Sequence, residues 1–280
     1  IDINPIIGCE IYVAPDGRLN KEAGRKINHL TLLAYNNEGY ENLMQLVTKA
    51  HLEGFYYKPR VDHGLLKEFG KGLIALSGCL SSELAEAMLA ENYEKAQETI
   101  TMYQNIFGKE NFFLEIMDHP EMIQQTIIRQ KYIEISREFK LPIVATNDNH
   151  YVHKQDHHAH DILLCIQTGK TIHDEHRMKM TGDYSMRSPE EMAEAFKECP
   201  SAITNTVEIA SRCKVEISFG KNLIPMFNPP EKKKPEAYLK ELCEVGLKER
   251  FSDITPEILA RLRYELDVIH NSGFDTYFLI

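Results

Sequence analysis

Short apolar, β-branched runs alternating with longer helical stripes constrain this chain more than any other feature. The runs recur at His29 to Leu33, Leu73 to Leu76, Phe112 to Ile116 and Pro142 to Thr146, and Pro5 to Val13 reads as a further buried strand. Strands separated by helical patterns favour an α/β fold with a largely parallel sheet. Between the last two runs, Ile128, Tyr132, Ile135 and Phe139 repeat at spacings of four, three and four, the stripe of an amphipathic helix facing a sheet. A β-α-β unit is expected there. Ser188-Pro189-Glu190-Glu191 marks another helix start, with Ser as cap, Pro in the first turn and Glu closing a capping box.

From about Phe219 the character changes. Lys221-Asn222-Leu223-Ile224-Pro225 leads into a Pro- and Lys-rich stretch through Pro235, and long helical patterns then start at Tyr238 and Thr255. A boundary near Ser218 divides residues 1–218 from residues 219–280. The chain opens without Met and closes on Tyr277-Phe278-Leu279-Ile280 with no stop signal, so the sequence is expected to continue beyond both ends.

Composition excludes several classes. A net charge of −10 argues against a general nucleic-acid coat protein, although it leaves room for a local basic groove. Tyr56-Tyr57-Lys58-Pro59-Arg60 and Lys232-Lys233-Lys234 are the basic clusters, and such clusters read first as solvated surface. The apolar runs fall far short of the roughly eighteen residues that cross a bilayer, so no membrane span is expected. No charged-then-apolar leader stands at the front, which points to the cytoplasm. Cys9, Cys79, Cys165, Cys199, Cys213 and Cys243 form no C-x-x-C pair and read as free thiols, with one candidate metal ligand among them.

Chemistry concentrates in Ala145-Thr146-Asn147-Asp148-Asn149-His150, at the C-terminal end of an expected strand, where α/β folds bind ligands. Asp148 and His150 stand two apart, so in extended chain both side chains point one way and could share a metal ion. A capping Asp beside a surface His is an equally good account of the spacing. His153, His157, His158 and His160 follow closely, but His157 to Thr168 reads as a helix with Ile162, Leu163 and Ile166 on its apolar face. Its histidines are therefore placed in solvent and outside the site. Glu10 lies within an apolar strand, where a lone carboxylate is expensive unless it is paired, metal-bound or turned outward. His29 starts its strand and Cys79 follows another; a cysteine there is by default core filler. Glu10, His29, Cys79 and the Asp148/His150 pair lie on different strands, as ligands do around one mouth of a multi-metal hydrolase. The mixture of carboxylate, imidazole and thiolate suits zinc best, with manganese or iron next.

Gly8-Cys9-Glu10, Ser77-Gly78-Cys79, Asn147-Asp148-Asn149-His150 and Asn205-Thr206-Val207-Glu208-Ile209-Ala210 together resemble the PHP (polymerase and histidinol phosphatase) region of bacterial DNA polymerase III alpha subunits. The resemblance covers essentially the whole chain. It implies a distorted (β/α) barrel of PHP type, truncated at its N-terminus, followed by the mostly helical start of a polymerase palm. It further implies that Glu10, His29, Cys79, Asp148 and His150 occupy metal-ligand positions, with Asp148 and His150 at the catalytic centre. The family's other ligands would lie upstream of Ile1, and the palm's magnesium-binding aspartates beyond Ile280.

The function so implied is a share in replicative DNA synthesis, with a cluster of zinc or manganese, or iron, supporting 3′-5′ proofreading hydrolysis. Lys58 and Arg60 are candidate phosphate contacts. The implied partners are primer-template DNA, the sliding clamp, the clamp loader and a separate exonuclease subunit. Two rival readings are a metal-stabilised scaffold without turnover and a free-standing phosphatase acting on a small ester such as histidinol phosphate.

Overall fold

The computed structural model describes residues 3–22, 24, 26–220 and 225–280. Lys221 to Ile224, within the stretch where the sequence changes character, lie outside the described residues. In chain order the elements are β1 (Gly8–Val13), β2 (Asn28–Ala34), α1 (Asn37–Leu52), β3 (Arg60–Val61), α2 (His63–Phe69), β4 (Leu73–Leu76), α3 (Glu83–Leu89), α4 (Tyr93–Phe107), β5 (Phe112–Ile116), α5 (Ile123–Phe139), β6 (Ile143–Ala145), α6 (His157–Thr168), α7 (Pro189–Ala195), α8 (Pro200–Arg212), α9 (Pro235–Arg250), α10 (Pro256–Asn271) and α11 (Asp275–Leu279). They form two compact units, Ile1–Glu216 and Ile217–Ile280.

The first unit is built on one open sheet in the order β3-β1-β2-β4-β5-β6. β4, β5 and β6 run parallel, as the β-α-β pattern predicts, and β3 runs parallel to β1. The sheet is largely parallel as expected, with one exception: β2 runs antiparallel to both β1 and β4, while the other five strands share one direction. The cause is the connection. Among the described residues no helix separates β1 from β2, and without a crossover the chain returns antiparallel. β1 begins at Gly8 rather than Pro5, so it is shorter than its apolar run.

One face of the sheet carries the main core. Ile11, Val13, Leu30, Leu32, Leu73, Ala75, Phe112, Leu114 and Ile143 pack there with apolar residues of α1 to α5. The α5 stripe is inward at Ile128 and Tyr132, half-buried at Ile135, and runs out at Phe139, which is exposed. On the other face a smaller cluster gathers Ile74, Leu76, Phe113 and Val144 against Ile209 and Cys213. Asn205, on α8, donates its side-chain amide to the carbonyl of Ile143 at 2.7 Å and ties α8 to the edge strand. Alternation puts Glu10, Tyr12, His29 and Thr31 on this second face, since Glu10 pairs with Thr31 and Tyr12 with His29.

The second unit is helical. Thr255 caps α10 through the N–H of Ile258, and His270 near its end meets Asp275 at 3.0 Å. Among the described residues, no helix is long and apolar enough to cross a membrane.

Candidate metal centre

The second face of the sheet gathers three of the expected donors. Glu10 Oε1 lies 2.9 Å from Nδ1 of His29, and Cys79 Sγ lies 3.5 Å from the same nitrogen. Glu10 and His29 are diagonal neighbours across the β1–β2 pair, a consequence of the register. Cys79 reaches them through the loop after β4. Gly78 has φ +84°, and a Cβ there would stand 2.5 Å from the carbonyl oxygen of His29, so only glycine permits this approach. The His29 N–H donates to the Ser81 carbonyl at 3.1 Å and fastens the loop. The ring of Tyr12 meets the His29 ring edge-on at 5.1 Å.

Charge follows this geometry. Hydrogen bonds to Cys79 and Glu10 push His29 up to about 10, against the opposing effect of burial. The His29 hydrogen bond holds the Glu10 carboxyl below its usual range despite burial, with the charges of His29 and His150 adding to it. His150 therefore belongs to the same electrostatic neighbourhood.

Asp148 and His150 are arranged differently from the extended pair expected. β6 ends at Ala145, and the chain turns at once, the Asn149 N–H reaching the Asn147 carbonyl at 2.8 Å. Asn-Asp-Asn is a turn-forming sequence. Nδ1 of His150 consequently faces its neighbour, 3.0 Å from the Asp148 carbonyl and 3.6 Å from its carboxylate. The backbone N–H of His150 donates to the Tyr184 carbonyl at 2.9 Å, and the Tyr184 ring packs edge-on against the imidazole at 5.3 Å.

Helix α6 starts where expected, but two of its assignments need correction. Ile162, Leu163 and Ile166 are exposed, whereas Leu164 and Cys165 turn inward. His160, set aside as a solvated bystander, lies with its ring centroid 5.4 Å from that of His150. A single helical turn at the start of α6 sets it beside His150.

Two buried groups had not been singled out. Glu115, on β5, is buried, and its carboxylate accepts from the Gly78 N–H at 3.1 Å and from the hydroxyls of Thr146 at 2.8 Å and Thr31 at 3.3 Å. Its own N–H donates to Ser77 Oγ at 2.9 Å. Burial raises its carboxyl above the usual range, although these hydrogen bonds oppose the rise. It links β2, the Cys79 loop and the end of β6 beneath the donors. The signal was present in Phe112-Phe113-Leu114-Glu115-Ile116, the same lone acid in an apolar run that drew attention to Glu10. His119 is also buried, with its ring 4.7 Å from Tyr184 and pushed down by burial.

Arg60 is not available to a phosphate. Only 2% exposed, it donates to the carbonyls of Gly54, Asn20 and Arg18 at 2.9, 2.8 and 2.8 Å. A basic cluster in one dimension had concealed a buried anchor. Lys58 is exposed, and its Nζ lies 5.5 Å from the centre of the Tyr12 ring, beside the mouth.

Among the described residues, no three His, Cys, Asp or Glu side chains already surround one point at coordination distance. In kind the donors fit a metal: a carboxylate and a thiol share one imidazole nitrogen, with a second carboxylate–imidazole pair alongside.

Comparison with known proteins agrees with the motifs. Residues 1–119 match the PHP domain family, and residues 237–280 match a family described as the bacterial DNA polymerase III alpha NTPase domain. The DNA polymerase III subunit alpha of Treponema pallidum (strain Nichols) is 42% identical over 99% of this chain and 24% of its own length. That of Borreliella burgdorferi is 40% identical over 99% of this chain and 25% of its own length. That of Thermus aquaticus is 40% identical over 92% of this chain and 22% of its own length. The chain thus spans about a quarter of the length of these relatives.

Proposed function

From the premise that this chain is a homologue of the DNA polymerase III alpha subunits and carries a PHP domain, we propose that it serves a replicative DNA polymerase as a metal-dependent phosphodiesterase region acting on the 3′ end of a primer. The residues from Phe219 onward then begin the polymerase palm, whose own magnesium site would lie outside this chain. Primer-template DNA, the clamp, the clamp loader and a separate exonuclease subunit are the partners this reading assigns.

The observation that carries the hydrolytic reading is the convergence of Glu10 and Cys79 on Nδ1 of His29 at the strand ends. Glu10, His29, Cys79, Asp148 and His150 would hold divalent cations, zinc by donor chemistry and manganese or iron next. Such cations neutralise phosphate oxygens and acidify water. The chain's own residues do the rest. Tyr12 and the Ser81 carbonyl orient His29, Glu115 ties β2, the Cys79 loop and the end of β6 together, and Lys58 places a positive charge where an incoming phosphate passes.

One observation favours a scaffold without turnover: Nδ1 of His150 is engaged by Asp148, 3.0 Å from its carbonyl and 3.6 Å from its carboxylate. A free-standing phosphatase is the weaker rival, because the similarity to alpha subunits runs through the second unit as well.

The deciding experiment follows manganese- and zinc-dependent nucleotide release from a 3′-mismatched primer by the full-length protein, beside Asp148→Asn and His150→Ala. Release that both substitutions abolish supports the proposal. Metal binding without release by the full-length protein leaves the scaffold.

A further inference from the structure

The segment from Gly54 to Arg60 is a short loop, closed at its base, with an aromatic tip. The Tyr56 N–H donates to the Lys58 carbonyl at 3.0 Å, closing a tight turn that puts Tyr57 at φ +59°. Left-handed backbone is unfavourable for a bulky side chain; glycine or asparagine would occupy it at less cost. Yet the residue is tyrosine, and it is 80% exposed. The ring is therefore displayed rather than packed, at a conformational cost that is offset elsewhere.

That offset is visible at the base of the loop. Arg60 is buried and clamps the carbonyls of Gly54, Asn20 and Arg18, and its guanidinium lies 5.3 Å from the centre of the Tyr56 ring. A Cβ on Gly54 would stand 2.0 Å from the Arg60 carbonyl oxygen, so the two ends of the loop are in direct contact. Tyr56 in turn supports Tyr57 edge-on at 4.6 Å. The tip is held in its exposed position before any ligand arrives, which lowers the ordering cost of binding.

The loop adjoins the candidate centre. Arg60 pairs with Tyr12 across β3 and β1, Lys58 lies 5.5 Å from the Tyr12 ring, and Tyr12 touches His29. An exposed aromatic face followed by a lysine matches a single-stranded nucleic acid, which offers a base to stack and a phosphate to neutralise. We infer that Tyr57 is a stacking platform for a base near the 3′ end of a single strand whose terminus enters the Glu10–His29–Cys79 mouth, with Lys58 on the adjoining phosphate. This inference rests on the nucleic-acid substrate of the proposed function.

The test uses the full-length protein in chelator, where no cleavage can occur. An oligonucleotide carrying 5-iodouracil at its 3′ terminus is photocrosslinked, and the adduct is located by peptide mass spectrometry. The expected result is an adduct on the Tyr57 peptide in the wild type and in Tyr57→Phe, falling roughly tenfold in Tyr57→Gly. Glycine relaxes the left-handed turn, so Tyr57→Gly should melt no lower than the wild type, which separates lost stacking from lost folding. An unlabelled Tyr57 peptide, including one covered by another part of the protein, overturns the inference, as does equal labelling in Tyr57→Gly. Nucleotide release measured with manganese on the same preparation keeps the two readings apart. Release without the adduct sinks the platform alone, and the adduct without release sinks the hydrolysis alone.

Discussion

The buried carboxylate of Glu115 accepts the backbone N–H of Gly78 at 3.1 Å, and so joins β5 to the loop that brings Cys79 against His29. Glu115→Ala would leave that buried N–H and two half-buried hydroxyls without their acceptor, and should destabilise the chain by about 2–4 kcal/mol in urea unfolding. Glu115→Gln keeps the shape and a neutral acceptor, and should cost about 1 kcal/mol. Equal costs for the two would show that the hydrogen bonds at Gly78, Thr31 and Thr146 contribute little.

Arg60→Met should destabilise by about 3 kcal/mol, since three carbonyls lose a buried charged donor. Arg60→Lys should recover less than half of this, because one ammonium cannot span a fork of three acceptors. An Arg60→Lys melting curve superimposing on the wild type would contradict the anchoring role.

Glu83 accepts from the Tyr103 hydroxyl at 2.6 Å and meets His63 Nε2 at 2.9 Å. Burial alone would raise its carboxyl, but these hydrogen bonds prevail and hold it below the usual range. A carboxylate with a lower pKa in the folded state adds stability above its unfolded value of about 4.3, and that contribution is lost as pH falls through the folded value. Stability should therefore drop below about pH 4, and Glu83→Gln should flatten this acid limb in a pH series of unfolding curves. An unchanged acid limb would remove Glu83 from the account.

Gly78→Ala tests the approach of the Cys79 loop. At φ +84°, with the His29 carbonyl oxygen 2.5 Å from the added carbon, the loop must retreat. Destabilisation of about 1–3 kcal/mol is expected, together with a zinc affinity reduced by at least about tenfold in calorimetric titration. Unaltered zinc affinity would mean that Cys79 is no part of the donor set.

Much of the sheet was legible because its strands are apolar runs, and β5–α5–β6 announced itself through the stripe ending at Phe139. The reversal of β2 was not, because direction is decided by the connection between strands rather than by their composition. Glu10 posed a dilemma that periodicity could not settle until the register set it diagonal to His29. The Asp148–His150 arrangement differed from the extended one because two asparagines favour a turn, a local preference that the spacing argument passed over. Arg60 and His160 are both polar in composition, yet Arg60 is covered by the loop it anchors and His160 is set beside His150 by a helix.

The β1–β2 pair closes on nearby contacts, whereas Asp148 and His150 wait for α5 to carry the chain across to β6. On a ribosome the pair bearing Glu10 and His29 can form early, Cys79 follows with β4, and Asp148 and His150 appear only after β6 has been made. Metal capture by this arrangement would then report on the biosynthetic history of the molecule, since a nascent chain stalled before β6 holds only the first donors of the set.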